Sequence, residues 1–261
     1  MASNSSNPII VVDQLTARFG DNTIFDRVSF HVDRGEILVI LGGSGCGKST
    51  MLKHMIGLYK PAAGQVLING VNVNTDDDRL LRRVRMNLGV LFQSSALFGS
   101  MTLEENVALP LQEYTALDAA TIDHIVRMKL GLVNLAGYGN HLPSELSGGM
   151  QKRAGLARAM ALDPTVLFFD EPSAGLDPIT SVELDNLIKS LNAGMGTTMV
   201  IVTHELESIF NIAHRVIMLD KDAKGIIAEG DPRKLKEHST DSRVVNFFNR
   251  RPASGAAHPE S

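Results

Sequence analysis

The sequence holds a single cysteine, Cys46, in 261 residues. One thiol cannot close an internal disulfide, and no metal site can be built from cysteines. Long apolar runs are missing too: no stretch approaches the roughly 20 residues that cross a bilayer as a helix. The first eight residues are rich in Ser and Asn and lack the basic and apolar segments of an export signal. The expectation is a chain in a reducing compartment, not exported by a standard route and not itself spanning a membrane. An excess of positive charge is absent, with 25 Lys and Arg against 29 Asp and Glu, which argues against a non-specific nucleic-acid binder. Neither an internal repeat nor a sustained heptad pattern is found. What remains is an ordinary globular composition, 44% hydrophobic, in a length suited to one large domain or a domain with a subdomain.

The stretch around which the rest is organised is Gly42-Gly43-Ser44-Gly45-Cys46-Gly47-Lys48-Ser49-Thr50. It fits G-x-x-x-x-G-K-[ST], the phosphate-cradling P-loop. Residues 36–41 before it form a short apolar run, the pattern of a buried parallel strand. Residues 50–58 after it carry helical spacing. Strand, glycine loop and helix in that order gather backbone N–H groups and a helix N-terminus around one point, which favours an anion. Lys48 is then placed for the β- and γ-phosphates and Ser49 for Mg²⁺. Cys46 lies within the loop, where a small filler is needed.

Along the chain, residues 9–19 and 25–32 read as strands joined by the turn Gly20-Asp21-Asn22. Phe19 has two readings, a core aromatic or a platform for adenine, and spacing alone favours the core. Residues 65–73 read as strand and turn. Residues 79–86 form a basic helix whose Arg79, Arg82, Arg83 and Arg85 read as a solvated face, and residues 87–92 are a strand leading to Gln93. From 94 to about 161 strand signals vanish. Helical periodicity appears in 102–111, 118–130 and 148–162, with Pro110 and Pro143 read as breaks. The α/β pattern resumes at 165–170, a strand ending in Asp170-Glu171. A helix follows from Asp177-Pro178 to about Asn192, with Asp177 as N-cap. A strand over 197–203 ends at His204. Residues 215–220 and 225–229 are strands and 231–237 a short helix.

In an open parallel sheet, ligands bind beyond the carboxyl ends of the strands. In this sequence those ends carry the P-loop, Gln93, Asp170-Glu171 and His204, all polar groups after apolar runs. Asp170 is placed to hold Mg²⁺ with Ser49. Glu171 is placed to orient the water that attacks the γ-phosphate. Gln93 can ligate the metal or position that water. His204 can contact the γ-phosphate or orient Glu171. Ser147-Gly148-Gly149 opens another helix and so forms a second anion site. Two head-to-tail copies would each complete the other's first site.

Together these motifs resemble the nucleotide-binding subunit of ABC transporters, over roughly residues 9–235. Gly42 to Ser49 resembles Walker A, Gln93 the Q-loop glutamine, Ser147-Gly148-Gly149 the signature, and Asp170 Walker B. Glu171 resembles the catalytic glutamate, Asp177 the end of the D-loop, and His204 the switch histidine. Phe19 occupies the place of the adenine-stacking aromatic, so the resemblance reverses the preference for a core role. Met150 stands where the signature usually has Gln, and Gly43 where Walker A often has Pro; neither is a phosphate-binding position. The fold implied is α/β, a P-loop core with a mainly parallel sheet, an antiparallel β subdomain and an inserted helical subdomain at about 94–161. Residues 1–8 would be a flexible N-terminus, 9–237 the ATPase domain, 238–250 a short helical extension and 251–261 a disordered tail. The resemblance implies ATP and Mg²⁺ as cofactors and a second copy of the chain supplying Ser147, Gly148, Gly149 and Asp177 in trans. It also implies an integral-membrane permease as partner.

Residues 91–98, 101–111, 146–161, 177–180 and 241–248 are similar to the Mla/Mce-associated lipid-transport ATPases. That similarity implies phospholipid or a related lipid as cargo, moved between inner and outer membranes. It further implies an Mce-domain substrate-binding protein as partner and a peripheral location on the cytoplasmic face of the inner membrane, with membrane contact through the permease only. Residues 241–248 read equally as an amphipathic helix packed on its own domain. Competing readings are an importer subunit for a small solute, a soluble ATPase of the same type acting on DNA or ribosomes, and a regulatory module without turnover. The last sits poorly with intact Lys48, Asp170 and Glu171.

Overall fold

The computed structural model describes residues 8–251. The expectations for residues 1–7 and 252–261 lie outside them. Pro8, expected in the flexible N-terminus, is already paired with Asp33 in the first strand.

Strand β3, Ile37–Gly42, is apolar at alternate and intervening positions because both of its faces are covered. Ile37, Val39 and Leu41 join one buried cluster, and Leu38 and Ile40 join another on the opposite side. Around it the chain runs β1 (Pro8–Phe19), β2 (Asn22–Asp33), β3, α1 (Lys48–Met55), β4 (Ala63–Ile68), β5 (Val71–Asn72), α2 (Asp78–Met86) and β6 (Leu88–Leu91). It continues through α3 (Leu103–Tyr114), α4 (Ala119–Leu132), a 3₁₀ turn (Pro143–Glu145) and α5 (Gly148–Ala159). Then come β7 (Val166–Asp170), α6 (Pro178–Met195), β8 (Thr198–Val202), α7 (Leu206–Ile212), β9 (Arg215–Asp220), β10 (Gly225–Gly230), α8 (Pro232–His238) and α9 (Ser242–Phe248).

The described strands form a six-stranded sheet, β10-β9-β3-β8-β7-β6, and a four-stranded sheet, β2-β1-β4-β5. The first is parallel except for β10, and the second is antiparallel. Parallel pairing brings the carboxyl ends of β3, β6, β7 and β8 to one edge, so the loops that follow them share one side of the molecule. At the opposite end Arg215 makes two ion pairs and reaches across to the other sheet. Arg215 of β9 donates from Nε and Nη2 to Glu36 at 2.7 and 2.9 Å, and from Nη2 to the carbonyl of His31 in β2 at 2.7 Å; it also pairs with Glu229 of β10. Burial alone would raise the Glu36 carboxyl; the Arg215 bonds outweigh it and hold the carboxyl below its ordinary range.

The helical stretch begins with a reciprocal cap: Thr102 Oγ1 accepts from Glu105 N–H, and Glu105 accepts from Thr102 N–H. Pro110 does not break α3, contrary to expectation; the helix runs through it to Tyr114. Pro110 forfeits one i−4 hydrogen bond, a cost of about 3 kcal/mol. Burial of Leu103, Val107, Ala108 and Leu111 against α4 and α5 offsets that cost. The open end of α3 is closed from outside, where Arg82 of α2 donates to the carbonyls of Glu113 and Tyr114 at 3.4 and 3.0 Å. The four arginines of α2 are exposed as expected, though Arg82 has this added task. Pro143 does interrupt, opening the 3₁₀ turn. The segment 241–248 forms α9 and packs on its own domain: Val244 and Phe248 are buried, and the Phe248 ring lies 5.7 Å from that of Phe210 in α7.

Candidate functional site

Helix α1 starts at Lys48 behind Gly47, which has φ 95° and offers no side-chain cap. The N–H groups of the first turn are therefore left without a side-chain acceptor, the condition for binding an anion. Only glycine fits: a Cβ on Gly47 would lie 2.5 Å from Phe25 Cζ and 2.6 Å from Ile24 Cγ2. Lys48 Nζ turns back onto its own loop, donating to the carbonyls of Gly42 and Gly43 at 3.0 and 3.2 Å. Cys46 is buried, and burial pushes its thiol pKa up, so it is a packed filler rather than a thiolate.

A cleft of about 390 Å³ opens in front of this loop, lined by Gly45, Gly47, Lys48, Ser49, Thr50, Gln93, Glu171 and His204 among others. Ser49 Oγ donates to Asp170 Oδ1 at 3.0 Å. Asp170 ends β7 and is only 8% exposed. A hydroxyl and one carboxylate, hard oxygen donors beside a phosphate cradle, fit Mg²⁺, which takes one or two carboxylates and completes its shell with water and phosphate. Among the described residues no group of three or more His, Cys, Asp or Glu could hold a metal by itself.

Glu171 follows with a left-handed backbone, φ 47°, a conformation that costs an ordinary residue about 1 kcal/mol. Its N–H bonds the carbonyl of Val202 at the end of β8, at 2.9 Å. Its side chain, 13% exposed, receives His204 Nδ1 at 2.9 and 3.0 Å from the two carboxylate oxygens. Of the two roles open to His204, the structure shows contact with Glu171. Gln93 is exposed on the rim of the cleft.

Sequence reasoning missed the groups that hold these strand ends. Lys152 of α5 is 5% exposed, and its Nζ donates to the carbonyls of Gln93 and Glu171 at 2.5 and 3.4 Å. Burial lowers its pKa, opposed by the charges of Asp170, Glu171 and Glu205. The signal was a lysine on the buried stripe Gly149, Lys152, Leu156, at the spacing of an inward face. Further along α5, Arg158 donates to the carbonyls of Ser95 and Ala96 at 2.9 and 2.7 Å. Both of those residues have left-handed backbones, φ 61° and 49°. Asn106, fully buried, accepts from Phe98 N–H and donates to the carbonyls of Phe98, Met101 and Thr102.

Ser147, Gly148, Gly149 and Asp177 do not line the P-loop cleft of the same chain. Ser147 caps α5, its Oγ accepting from Met150 N–H at 3.3 Å. Gly149 is pressed against α6, where a Cβ would sit 2.5 Å from Thr180 Cγ2. Asp177 caps α6; the Thr180 hydroxyl and the N–H groups of Thr180 and Ile179 hold its carboxyl below the ordinary range. Phe19 is not a core residue. It ends β1 beside the hairpin turn, is 49% exposed, and meets the Tyr59 ring edge-on at 5.5 Å. It is absent from the lining of the phosphate cleft.

The sequence model of the ABC transporter family matches residues 25–174. The chain is 43% identical over 240 residues to the intermembrane phospholipid transport system ATP-binding protein MlaF of Haemophilus influenzae, covering 92% of this chain and 90% of that one. Against MlaF of Escherichia coli (strain K12) it is 44% identical over 230 residues, 88% and 84% of the two chains. A probable ribonucleotide transport ATP-binding protein, mkl, of Mycobacterium bovis is 42% identical over 93% of this chain and 67% of its own. Among solved structures, the dimeric post-hydrolysis state of the ATP-binding cassette MJ0796 bound to ADP and Pi superimposes with TM-score 0.76 at 33% identity, over 85% of this chain and 98% of that one.

Proposed function

The chain belongs to the ABC transporter family of ATP-hydrolysing subunits, and from that premise we propose that it powers the movement of phospholipid or a related lipid between the inner and outer membranes of its cell. The single observation that carries the ATPase reading is the convergence, in one cleft, of the uncapped P-loop helix, the Ser49–Asp170 contact and the Glu171–His204 pair. The cargo rests on the two relatives named for intermembrane phospholipid transport, similar over most of both chains.

In this reading the P-loop N–H groups and Lys48 bind the triphosphate, and Phe19 stacks on the base. Mg²⁺, held through Ser49 and Asp170 with Gln93 at the rim, would neutralise phosphate charge when bound. Glu171 orients and polarises a water for attack on the γ-phosphate, giving ADP and phosphate. His204 holds the Glu171 carboxylate in place. A second copy brings Ser147, Gly148, Gly149 and Asp177 to the γ-phosphate side, which explains why these residues lie outside their own chain's cleft. ATP favours the closed pair because only that pair offers both halves of the site. An integral-membrane permease docks on residues 94–105, where Phe98 is 50% exposed on a backbone that Asn106 and Arg158 hold rigid. An Mce-domain protein binds the lipid, and the chain sits on the cytoplasmic face of the inner membrane through the permease.

The mycobacterial relatives carry a different cargo in their name at almost the same identity, so transport of a ribonucleotide is the second reading. Purification of the assembly from membranes, with mass spectrometry of the proteins and small molecules retained, separates the two. A multi-span permease with bound phospholipid is the expected result. Recovery of nucleotide-type cargo, or of no membrane protein at all, refutes the lipid reading.

A further inference from the structure

Lys152 is the one buried cation of α5 that contacts two strand ends at once. Its ammonium reaches the carbonyl of Gln93, just beyond β6, and that of Glu171, just beyond β7. Neither carbonyl belongs to the helical stretch that carries Lys152. The helix therefore grips the backbone of the residue that orients water, and does so from the element whose first turn is Ser147-Gly148-Gly149. Between those glycines and Lys152 there is about one helical turn, too short to flex. At the other end of α5, Arg158 fixes the carbonyls of Ser95 and Ala96. Helix α5 and the loop after β6 are thus tied at several points, while α5 and Glu171 are joined by the single Lys152 bond.

Glu171 needs such a grip. Its φ of 47° is unfavourable for a side chain with a Cβ, so something must hold it. Its N–H is held by Val202, its carboxylate touches His204, and its carbonyl accepts from Ala174 N–H in the following turn at 3.2 Å and from Lys152 at 3.4 Å, the latter alone tying it to α5. Without Lys152 the carbonyl keeps only its turn bond to Ala174 and loses its tie to α5, so the Glu171 backbone can shift relative to that helix and take the carboxylate with it. A displacement on the order of 1 Å at a water-orienting group is enough to cost turnover heavily without touching the groups that bind nucleotide.

We propose that Lys152 is a positioning residue for hydrolysis, transmitting the position of the signature helix to the Glu171 carboxylate through the Glu171 carbonyl. The inference rests on the assignment of Glu171 in the preceding subsection. It makes the signature residues and the water-orienting carboxylate two ends of one rigid connection. A partner's γ-phosphate drawing on Ser147 and Gly148 then adjusts Glu171 in the same chain.

The test uses the full chain and three variants, Lys152→Met, Lys152→Gln and Glu171→Gln, with kcat, KM for ATP, nucleotide affinity and melting temperature measured for each. Met keeps the stem and removes every donor. Gln keeps one short donor that cannot span both carbonyls. Lys152→Met is expected to lose at least about tenfold in kcat with KM and affinity within about twofold, and Lys152→Gln to recover part of the loss. A purely structural lysine would lower the melting temperature and leave kcat of the folded protein alone. Turnover of folded Lys152→Met within about twofold of the parent overturns the proposal. If that variant does not fold, Lys152→Gln decides by the same limit. A KM that rises in step with the fall in kcat overturns it as well. Normal turnover by Glu171→Gln would instead remove the reading of Glu171 itself, so the two failures are distinct.

Discussion

Replacing Glu171 by Gln changes one oxygen for an amide nitrogen and little else. The remaining carbonyl oxygen still accepts from His204 Nδ1, now 2.9 Å from Oε1. The backbone bond to Val202 is untouched. Stability should therefore change by less than about 0.5 kcal/mol. Lost is the negative charge that, in the proposed role, polarises water, a contribution of roughly 10²- to 10⁴-fold, or about 3–5 kcal/mol of activation free energy. Phosphate release at saturating ATP should fall by that factor while nucleotide affinity holds, and the ATP-loaded pair should persist on gel filtration. His204→Ala leaves the charge but releases the carboxylate, 13% exposed, from its partner; a loss of about tenfold is expected. Because His204 acts through Glu171, the double variant should be no slower than Glu171→Gln alone. Multiplying losses in the double variant, or a Glu171→Gln protein that keeps more than about a tenth of parental turnover, would refute the division of roles.

Phe98→Ala should uncouple transport from hydrolysis in reconstituted vesicles while ATP affinity stays at the parental value; weakened nucleotide binding would count against 94–105 as a docking surface. Arg215→Leu strands the largely covered Glu36 carboxylate, 12% exposed, and should cost about 3 kcal/mol in chemical denaturation at neutral pH. Since the folded Glu36 carboxyl lies below its ordinary range, this stabilisation is present above the unfolded carboxylate range and is lost as pH falls through the folded value. The gap between parent and Arg215→Leu should close accordingly on acidification. Asp185 is the opposite case: burial raises its carboxyl, and Oδ1 has no hydrogen-bond partner. A raised carboxyl favours the folded state below the ordinary range and weakens it as pH rises through the folded value. Asp185→Asn should thus gain about 1 kcal/mol at neutral pH and nothing in acid; an equal gain at both pH values would show that charge is not the cause.

The glycine loop and the uncapped helix behind it were legible because their cause is local. Gly47, Lys48 and Ser49 are consecutive, the strand before them is apolar on both faces, and the backbone conformation that exposes the N–H groups is demanded by the loop itself. Asp170-Glu171 and His204 were legible for a related reason. Parallel strands bring all their carboxyl ends to one edge, so a polar residue after an apolar run already has its address. The capping residue Asp177 acts on N–H groups two and three positions away and was equally readable, whereas the caps at Thr102 and Ser147 came only with the structure. Pro110 was misread because propensity knows nothing of the burial of Val107 and Leu111.

Tertiary structure alone decided which charge meets which. Lys152 finds carbonyls 59 and 19 positions away, and Arg215 finds Glu36 across 179. That Phe19 is exposed and not part of the core depended on its standing at the open end of a hairpin, with Tyr59 beside it. Sequence periodicity reports which face of an element is turned inward, since that is settled by neighbours a turn or a pleat away. It cannot report what waits there, because a buried ammonium is tolerated only where distant segments converge to supply its acceptors, and that convergence exists only once the sheet has assembled.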